Sequence, residues 1–408
     1  MEFLSVRATA ERWGVSVRNV QRLLKEDRIH GAYKCSGCWM IPADAPKPDD
    51  PRRERKKALE PKPETVPEAA EEAPAPPVRP NRLAYGLLSV IIPMPRRNPD
   101  AVPPMLKETT LRREYEVELA YMRGNYELAS RRFSETLPDA PTRFCACMLS
   151  LLSAIHLNDS GLYARVSHYL QQEMRSGDEN TAHVAEVALT GPSLSMKDMS
   201  RVSMWVQKGD FSRLLPEARP MGMYLSLKNL QGQKRYGELL CACKAAIALW
   251  EREDTFTLLD IYLRMLCATG CYELNRVEEC DRHLLAAMEL ALPNGFITPF
   301  VEFWMSTGCQ IEHLLEQHYP QWRAPVERTS AATWKNWIAF HNHYTRENIT
   351  TLLTQREYRL ARIILAGGTY QNVADELYLS VSTVKSMLSA IYDKLMIHSR
   401  AELAEMIM

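Results

Sequence analysis

One segment of the chain, Leu353 to Met408, leaves little freedom about what it can fold into. Thr354 is a helix-capping residue and Glu357 stands three positions on, the pair that a capping box needs. Tyr358, Ala361, Ile364 and Leu365 follow at helical spacing,. Gly367-Gly368 then ends that helix, because glycine takes the left-handed cap conformation at little cost. Tyr370 to Leu377 predicts a short second helix with Val373, Ala374 and Leu377 inward. Ser380 caps a third, whose apolar stripe of Val384, Leu388, Ile391 and Leu395 runs at intervals of four, three and four,. The opposite face carries Ser382, Lys385, Ser386 and Ser389. Two short helices joined by a tight turn, the second polar on its outer side, is the arrangement that enters a DNA major groove.

The runs Asn372-Val373-Ala374-Asp375-Glu376-Leu377, Ser380-Val381-Ser382-Thr383-Val384-Lys385, Ile391-Tyr392-Asp393-Lys394-Leu395 and Ser399-Arg400-Ala401-Glu402-Leu403 complete a pattern. It resembles the four-helix helix-turn-helix domain of the LuxR family of bacterial transcription regulators. The resemblance implies that Lys385, Ser386 and Ser389 read bases and that Thr383 touches phosphate, with Ser382 beside it on the DNA-facing side. It also implies a homodimer formed through the last helix, Arg400 to Ile407, with Leu403 and Ile407 as contacts, reading half-sites about one helical turn apart. Three positions depart from the family pattern: Gln371 where a basic residue is usual, Met387 where histidine is usual, and Ala390 near the usual asparagine. From Leu353 to Met408, six Lys and Arg are matched by six Asp and Glu. Phosphate contacts supply most non-specific affinity, so this domain alone is expected to hold DNA weakly.

The N-terminus carries a second, independent signal. Ser5 precedes a helical run ended by Gly14, and Ser16 caps Val17 to Asp27, with Val20, Leu23 and Leu24 inward,. The outer face of that second helix offers Arg18, Asn19, Gln21, Arg22 and Lys25, residue types that touch phosphates and base edges. Ala32-Tyr33-Lys34 and Trp39-Met40-Ile41 then flank Cys35-Ser36-Gly37-Cys38, a β-hairpin signature,. Helices followed by a hairpin wing resemble the excisionase/MerR-type winged helix-turn-helix domain, over residues 1–48. Met1 to Lys57 holds 13 Lys and Arg against 8 Asp and Glu, so this end is the expected electrostatic anchor on DNA. Cys35 and Cys38 make half a zinc site with only His30 near; four ligands are needed, and no metal is expected.

The rest of the chain is ordinary soluble composition, with 46% hydrophobic and 25% charged residues and no net charge over 408 residues,. Scattered cysteines without a secretory signal suit a reducing cytoplasm, near the nucleoid. The longest apolar run, Leu83 to Pro95, is interrupted by proline and falls short of the ~20 residues needed to span a bilayer, so no membrane partner is expected. Asp44 to Pro80 is dense in proline among Lys, Glu and Ala and reads as a linker. With a second proline cluster from Pro93 to Pro104, the expected linker extends over residues 49–107.

Residues 108–345 are expected to form helical repeats. Gly124-Asn125-Tyr126, Ala129, Phe133 and Pro141 fit the 34-residue tetratricopeptide pattern, and Gly161, Tyr163 and Ala164 give a weaker copy,. Tyr236, Leu239, Cys243 and Ala246, then Val277, Cys280, Leu284, Ala287 and Pro293, suggest two more. Such helix pairs stack into a solenoid that binds ligands or partners. Ala287, Leu290-Ala291, Pro293-Asn294-Gly295-Phe296 and Pro299-Phe300-Val301-Glu302, then Leu314-Leu315, resemble the end of the helical sensor region in MalT-type LuxR regulators. The MalT phosphate loop, Gly-x4-Gly-Lys-Ser/Thr, is missing, so ATP-driven assembly does not carry over and no cofactor is expected.

Other signals are weaker. His341-Asn342-His343 cannot turn three adjacent side chains to one metal. Cys145 and Cys147, like Cys241 and Cys243, diverge on their helices. Trp322, Trp334 and Trp337 read as packing anchors between the repeats and the terminal domain. No catalytic motif of the common hydrolase or dehydrogenase types occurs. The sequence therefore predicts a mainly α chain of four parts: 1–48 winged, 49–107 linker, 108–345 repeats sensing a small molecule or protein, and 350–408 LuxR-type. Its expected role is a DNA-binding transcription regulator, not an enzyme, acting on double-stranded DNA. The rival is a repeat-based adaptor whose helix-turn-helix ends bind protein instead.

Overall fold

The computed structural model describes residues 3–26, 28–35, 38–48, 87–137, 142–175, 179–196, 202–345 and 352–407. Most of the expected linker, and the Ser36-Gly37 turn, lie outside the described residues. The chain divides into two compact units, Met1–Pro77 and Val78–Met408.

In the first unit, β1 (Phe3–Leu4) leads into α1 (Val6–Trp13) and α2 (Val17–Lys25), followed by β2 (Tyr33–Cys35) and β3 (Cys38–Pro42). The Ser5 hydroxyl accepts from Ala8 N, and Gly14 closes α1 at φ 63°. Ser16 accepts from Asn19 N and opens α2. The strands pair antiparallel in the order β1-β3-β2, with Leu4 opposite Ile41 and Lys34 opposite Trp39. Ala10, Val20, Leu23, Leu24, Ile29, Ile41 and Ala45 form a small core.

The second unit is helical hairpins. It begins with α3 (Leu88–Ile91), β4 (Met94–Pro95) and α4 (Val102–Met105). Then come α5 (Thr109–Met122), α6 (Tyr126–Ser130), α7 (Arg132–Glu135), α8 (Arg143–Leu157), α9 (Ser160–Glu173), α10 (Glu179–Ser195) and α11 (Met204–Lys208). After these follow α12 (Arg219–Gly232), α13 (Tyr236–Trp250), β5 (Thr255–Phe256), α14 (Leu258–Glu273), α15 (Val277–Ala291) and α16 (Thr298–Glu302). Four of the hairpin turns use a left-handed residue: Gly124, Asn158, Lys234 and Asn275. That conformation lets the chain reverse within a few residues, and Gly and Asn reach it most cheaply. Gly161, the turn glycine expected for the second repeat, lies instead in the first turn of α9, and Asn158 makes that reversal.

The stretch from Leu87 to Leu106 departs from the linker expected there. Leu88, Met94 and Val102 are buried in the main hydrophobic core, and β4 pairs with β5 through Met94 and Phe256. Its prolines fit because they sit in turns, at a strand end and in the first turns of short helices, where a missing N–H costs nothing. The buried Glu118 carboxyl group on α5 fixes this segment, accepting from Leu88 N and Ser89 N at 2.7 Å each. Burial drives the Glu118 carboxyl up to about 8, against the opposing pull of those Ser89 and Leu88 hydrogen bonds.

The chain then runs through α17 (Gln310–His318) and the long α18 (Pro320–Thr345) into four short helices: α19 (Gln355–Leu365), α20 (Tyr370–Glu376), α21 (Val381–Leu395) and α22 (Arg400–Ile407). Among the described residues, no helix is long and apolar enough to cross a membrane.

Candidate nucleic-acid interface

The terminal helices start where their caps dictate. Thr354 and Glu357 form a reciprocal capping box on α19, and Thr369 with Asn372 forms another on α20. The Ser380 hydroxyl accepts from Thr383 N at the start of α21. Val384, Leu388, Ile391 and Leu395 face inward, as their spacing requires. The other side of α21 presents Ser382, Thr383, Lys385, Ser386 and Ser389, all exposed. Lys385 lies 5.9 Å from the centre of the Tyr370 ring, so α20 and α21 form one surface there.

The structure sharpens the charge argument. Arg356 donates to Leu377 O, Arg359 is buried, Lys394 pairs with Glu357 at 2.7 Å, and Arg400 donates to Ile364 O. Arg362 and Lys385 remain exposed, with no ion pair among the described residues. Lys385 thus stands on the outer face of α21 as its one cation, flanked by hydroxyls.

The terminal domain is also fixed from behind. The Arg359 guanidinium is buried and donates to Trp304 O at 2.6 Å and Cys309 Sγ at 2.9 Å. Tyr272 donates to Glu376, and Tyr378 donates to Gln310 while stacking on His313 at 4.4 Å. Gly308 lies under the Tyr272 ring at φ +57°, where a side chain would overlap that ring. Trp334 packs on Tyr358 at 5.4 Å and donates to Leu353 O. Of the three expected tryptophan anchors, Trp334 meets the terminal domain directly. Trp337 donates instead to Ser195 O, and Trp322 packs beside Gly295. Sequence reading missed Arg359, counting it only as a charge; a residue's neighbours across the fold leave no local pattern.

Leu403 and Ile407, expected as dimer contacts, are buried inside the terminal domain at 0% and 4% exposure. They fill its core beside Leu360 and Ile364, so they do not offer an outer surface. Among the described side chains, the exposed residues on α22 are Arg400, Ala401 and Met406.

In the first unit, Arg18, Gln21, Arg22 and Lys25 are exposed on α2, and Asn19 is half-buried. Arg22 donates to Asn19 Oδ1 at 3.1 Å and lies 3.9 Å from Glu26. A pair this exposed contributes little and leaves the guanidinium able to exchange partners.

Sequence reading found no metal set. The structure brings Cys271, Glu279 and His283 within 4.8 Å of one another, from α14 and one turn of α15. Lys244 already pairs with Glu279 and holds that carboxyl below its usual range, so the carboxylate has its cation.

Comparison with known proteins bears on the C-terminal segment. Residues 351–407 match the GerE family, bacterial regulatory proteins of the luxR family. The Fimbriae Z proteins of Escherichia coli strain K12 and of Escherichia coli O157:H7 are each 36% identical over 70 residues, 17% of this chain and 33% of theirs. The chain thus aligns with about a third of the length of these curated relatives. No solved structure matches. The C-terminal domain is a LuxR-type helix-turn-helix, within a chain that is mainly helical.

Proposed function

We propose that the protein is a DNA-binding transcription regulator that reads its target through α21 of the terminal domain. The exposed row of Ser382, Thr383, Lys385, Ser386 and Ser389 on a capped helix carries this reading. It presents one cation and several hydroxyl donors, the chemistry that meets phosphate and base edges. The first unit, with two capped helices and a three-stranded sheet, acts as a winged helix-turn-helix domain and supplies the phosphate anchor through Arg18, Arg22 and Lys25. The helical hairpins form a tetratricopeptide-like sensor whose state controls pairing of terminal domains. Because Leu403 and Ile407 are interior, pairing through α22 would use its outer face.

Genome-wide occupancy of the tagged protein, with Lys385→Ala and Arg22→Ala alongside, tests the reading. Discrete promoter peaks that weaken in both variants are expected. Abundant protein with no peaks above background would favour the adaptor instead.

A further inference from the structure

Beside the junction of the helical hairpins with the terminal domain lies a cavity of about 320 Å³, walled in part by Trp334 on α18 and Gln355 at the start of α19. Behind it is a smaller, mostly apolar chamber of about 50 Å³. The two share four lining residues, Leu194, Ser195, Lys228 and Glu302. Their common wall therefore carries one carboxylate and one ammonium.

Glu302 is held for this position. Tyr121 donates to its Oε1 at 2.7 Å and Tyr262 to its Oε2 at 2.9 Å, while His156 Nε2 stands 3.6 Å away. Burial pushes its carboxyl up, but the His156, Tyr121 and Tyr262 hydrogen bonds prevail and keep it below the ordinary carboxylate range. Tyr121, Tyr262 and His156 together hold this carboxylate on the wall that both chambers share. Lys228 lies across from α16 on α12, its ammonium 4.4 Å over the Phe303 ring. The two tryptophans of the outer wall already have stacking partners. Trp334 stacks on Trp337 at 5.7 Å, and Trp337 stacks on His341 at 4.8 Å. What the two chambers share is a pair of opposite charges, Glu302 and Lys228. At about 10–15 Å³ per water position, the inner chamber has room for a branch of a few carbons, against Leu87, Val90 and Met148.

We propose that this double chamber binds a small zwitterion with a short apolar branch, an aliphatic α-amino acid or a molecule built like one. Its ammonium meets Glu302, its carboxylate meets Lys228, and its branch enters the inner chamber. Occupancy would be felt at Gln355 and Trp334, which also hold the terminal domain. The inference rests on the sensing role proposed above and gives it a ligand class.

The test is calorimetric titration of the full chain with L-alanine, L-valine, L-leucine and L-isoleucine. 3-Methylbutylamine and 4-methylpentanoate serve as leucine decoys that each lack one charge, and glucose as a neutral polyol. At least one amino acid should bind, with each decoy, Glu302→Gln and Lys228→Met weakening it about tenfold or more, a change of about 1.4 kcal/mol. Circular dichroism and melting temperature should stay near wild type; if Glu302→Gln melts early, Lys228→Met and the decoys decide. No binding by any of the four, equal binding by a decoy or glucose, or variants that bind normally would overturn the proposal. DNA affinity measured by fluorescence anisotropy on the same samples separates the two readings. DNA binding without amino-acid binding overturns this site alone, and the reverse overturns the regulator alone.

Discussion

The two polar-faced helices, α2 and α21, begin alike and differ in what stands behind them. Ser16 and Ser380 each accept from the backbone three residues on, and each helix buries one apolar stripe. Behind α2, among the described residues, is a core of seven buried residues. Behind α21 is a fuller core that reaches Cys309 on the helical hairpins, clamped by Arg359. The charges run the other way: α2 offers three exposed cations on its outer face, α21 only Lys385. Charge gives affinity for any phosphate backbone, whereas a rigid mount gives a fixed reading position. Under the proposed function, one end would hold DNA and the other would be placed on it.

The largest effect should come from breaking the mount. Arg359→Leu leaves the Trp304 carbonyl buried without its donor, a cost of about 1–3 kcal/mol. Cys309, only 3% exposed, should then react far faster with a thiol reagent, while α1 and α2 keep their amide protection. Unchanged Cys309 labelling would mean that Arg359 is not the clamp.

Next comes the charge side of the comparison. Removing Arg22 and Lys25 together should flatten the salt dependence of DNA affinity by about two units of slope, roughly one per phosphate contact. Lys385→Ala should instead relax sequence preference, with a smaller change in slope. If Lys385→Ala flattened the slope more than the double variant, the assignment of the two ends would be reversed.

What could be read beforehand follows the same divide. Caps, stripes and turn glycines act within a few residues, so Ser5, Ser16, Thr354, Ser380 and the α21 stripe were legible. The hairpin turn at Gly124 was legible because a left-handed turn favours Gly; the next was not, since Gly161 looks like the turn residue but lies inside α9 and Asn158 makes the reversal. The packed segment from Leu87 to Leu106 was not, since its prolines look like linker until Glu118, some thirty residues away, is seen capping it. The family resemblance points Leu403 and Ile407 outward, though an apolar residue on a short terminal helix serves its own core equally well. The double chamber had no sequence signature at all: its walls come from helices scattered between Leu87 and Gln355.

A third effect separates the units by pH. Among the described residues, the first unit buries no carboxylate, whereas the second buries Glu118. The folded Glu118 carboxyl, pushed up to about 8, keeps a proton that the unfolded chain releases near 4.5. Raising pH through that window therefore favours unfolding, and the loss levels off above about 8,. Glu118→Gln removes an acceptor from Ser89 at every pH, so its level of stability drops. Its slope is the test: melting of the second unit should decline less between pH 5 and 8 than in wild type, on the order of one titrating group. An unchanged slope would place the titration elsewhere.

The smallest effect tests the caps that the two helices share. Ser16→Ala and Ser380→Ala should each cost about 1 kcal/mol, because each removes one N-terminal hydrogen bond of the same kind. The consequence should differ. A small domain holds roughly 0.05–0.15 kcal/mol per residue, so the first unit has little in reserve and should lose protection across its whole core. The Ser380 side chain also meets Ser382 and Thr383 hydroxyls at 2.7 Å, and α21 rests on a mount that a cap does not touch. Hydrogen exchange should then show loss confined to the first turn of α21, with Leu388 and Ile391 amides unaffected. If Ser380→Ala instead loosened the whole terminal domain as Ser16→Ala loosens the first unit, the clamp at Arg359 would not be what sets the two ends apart.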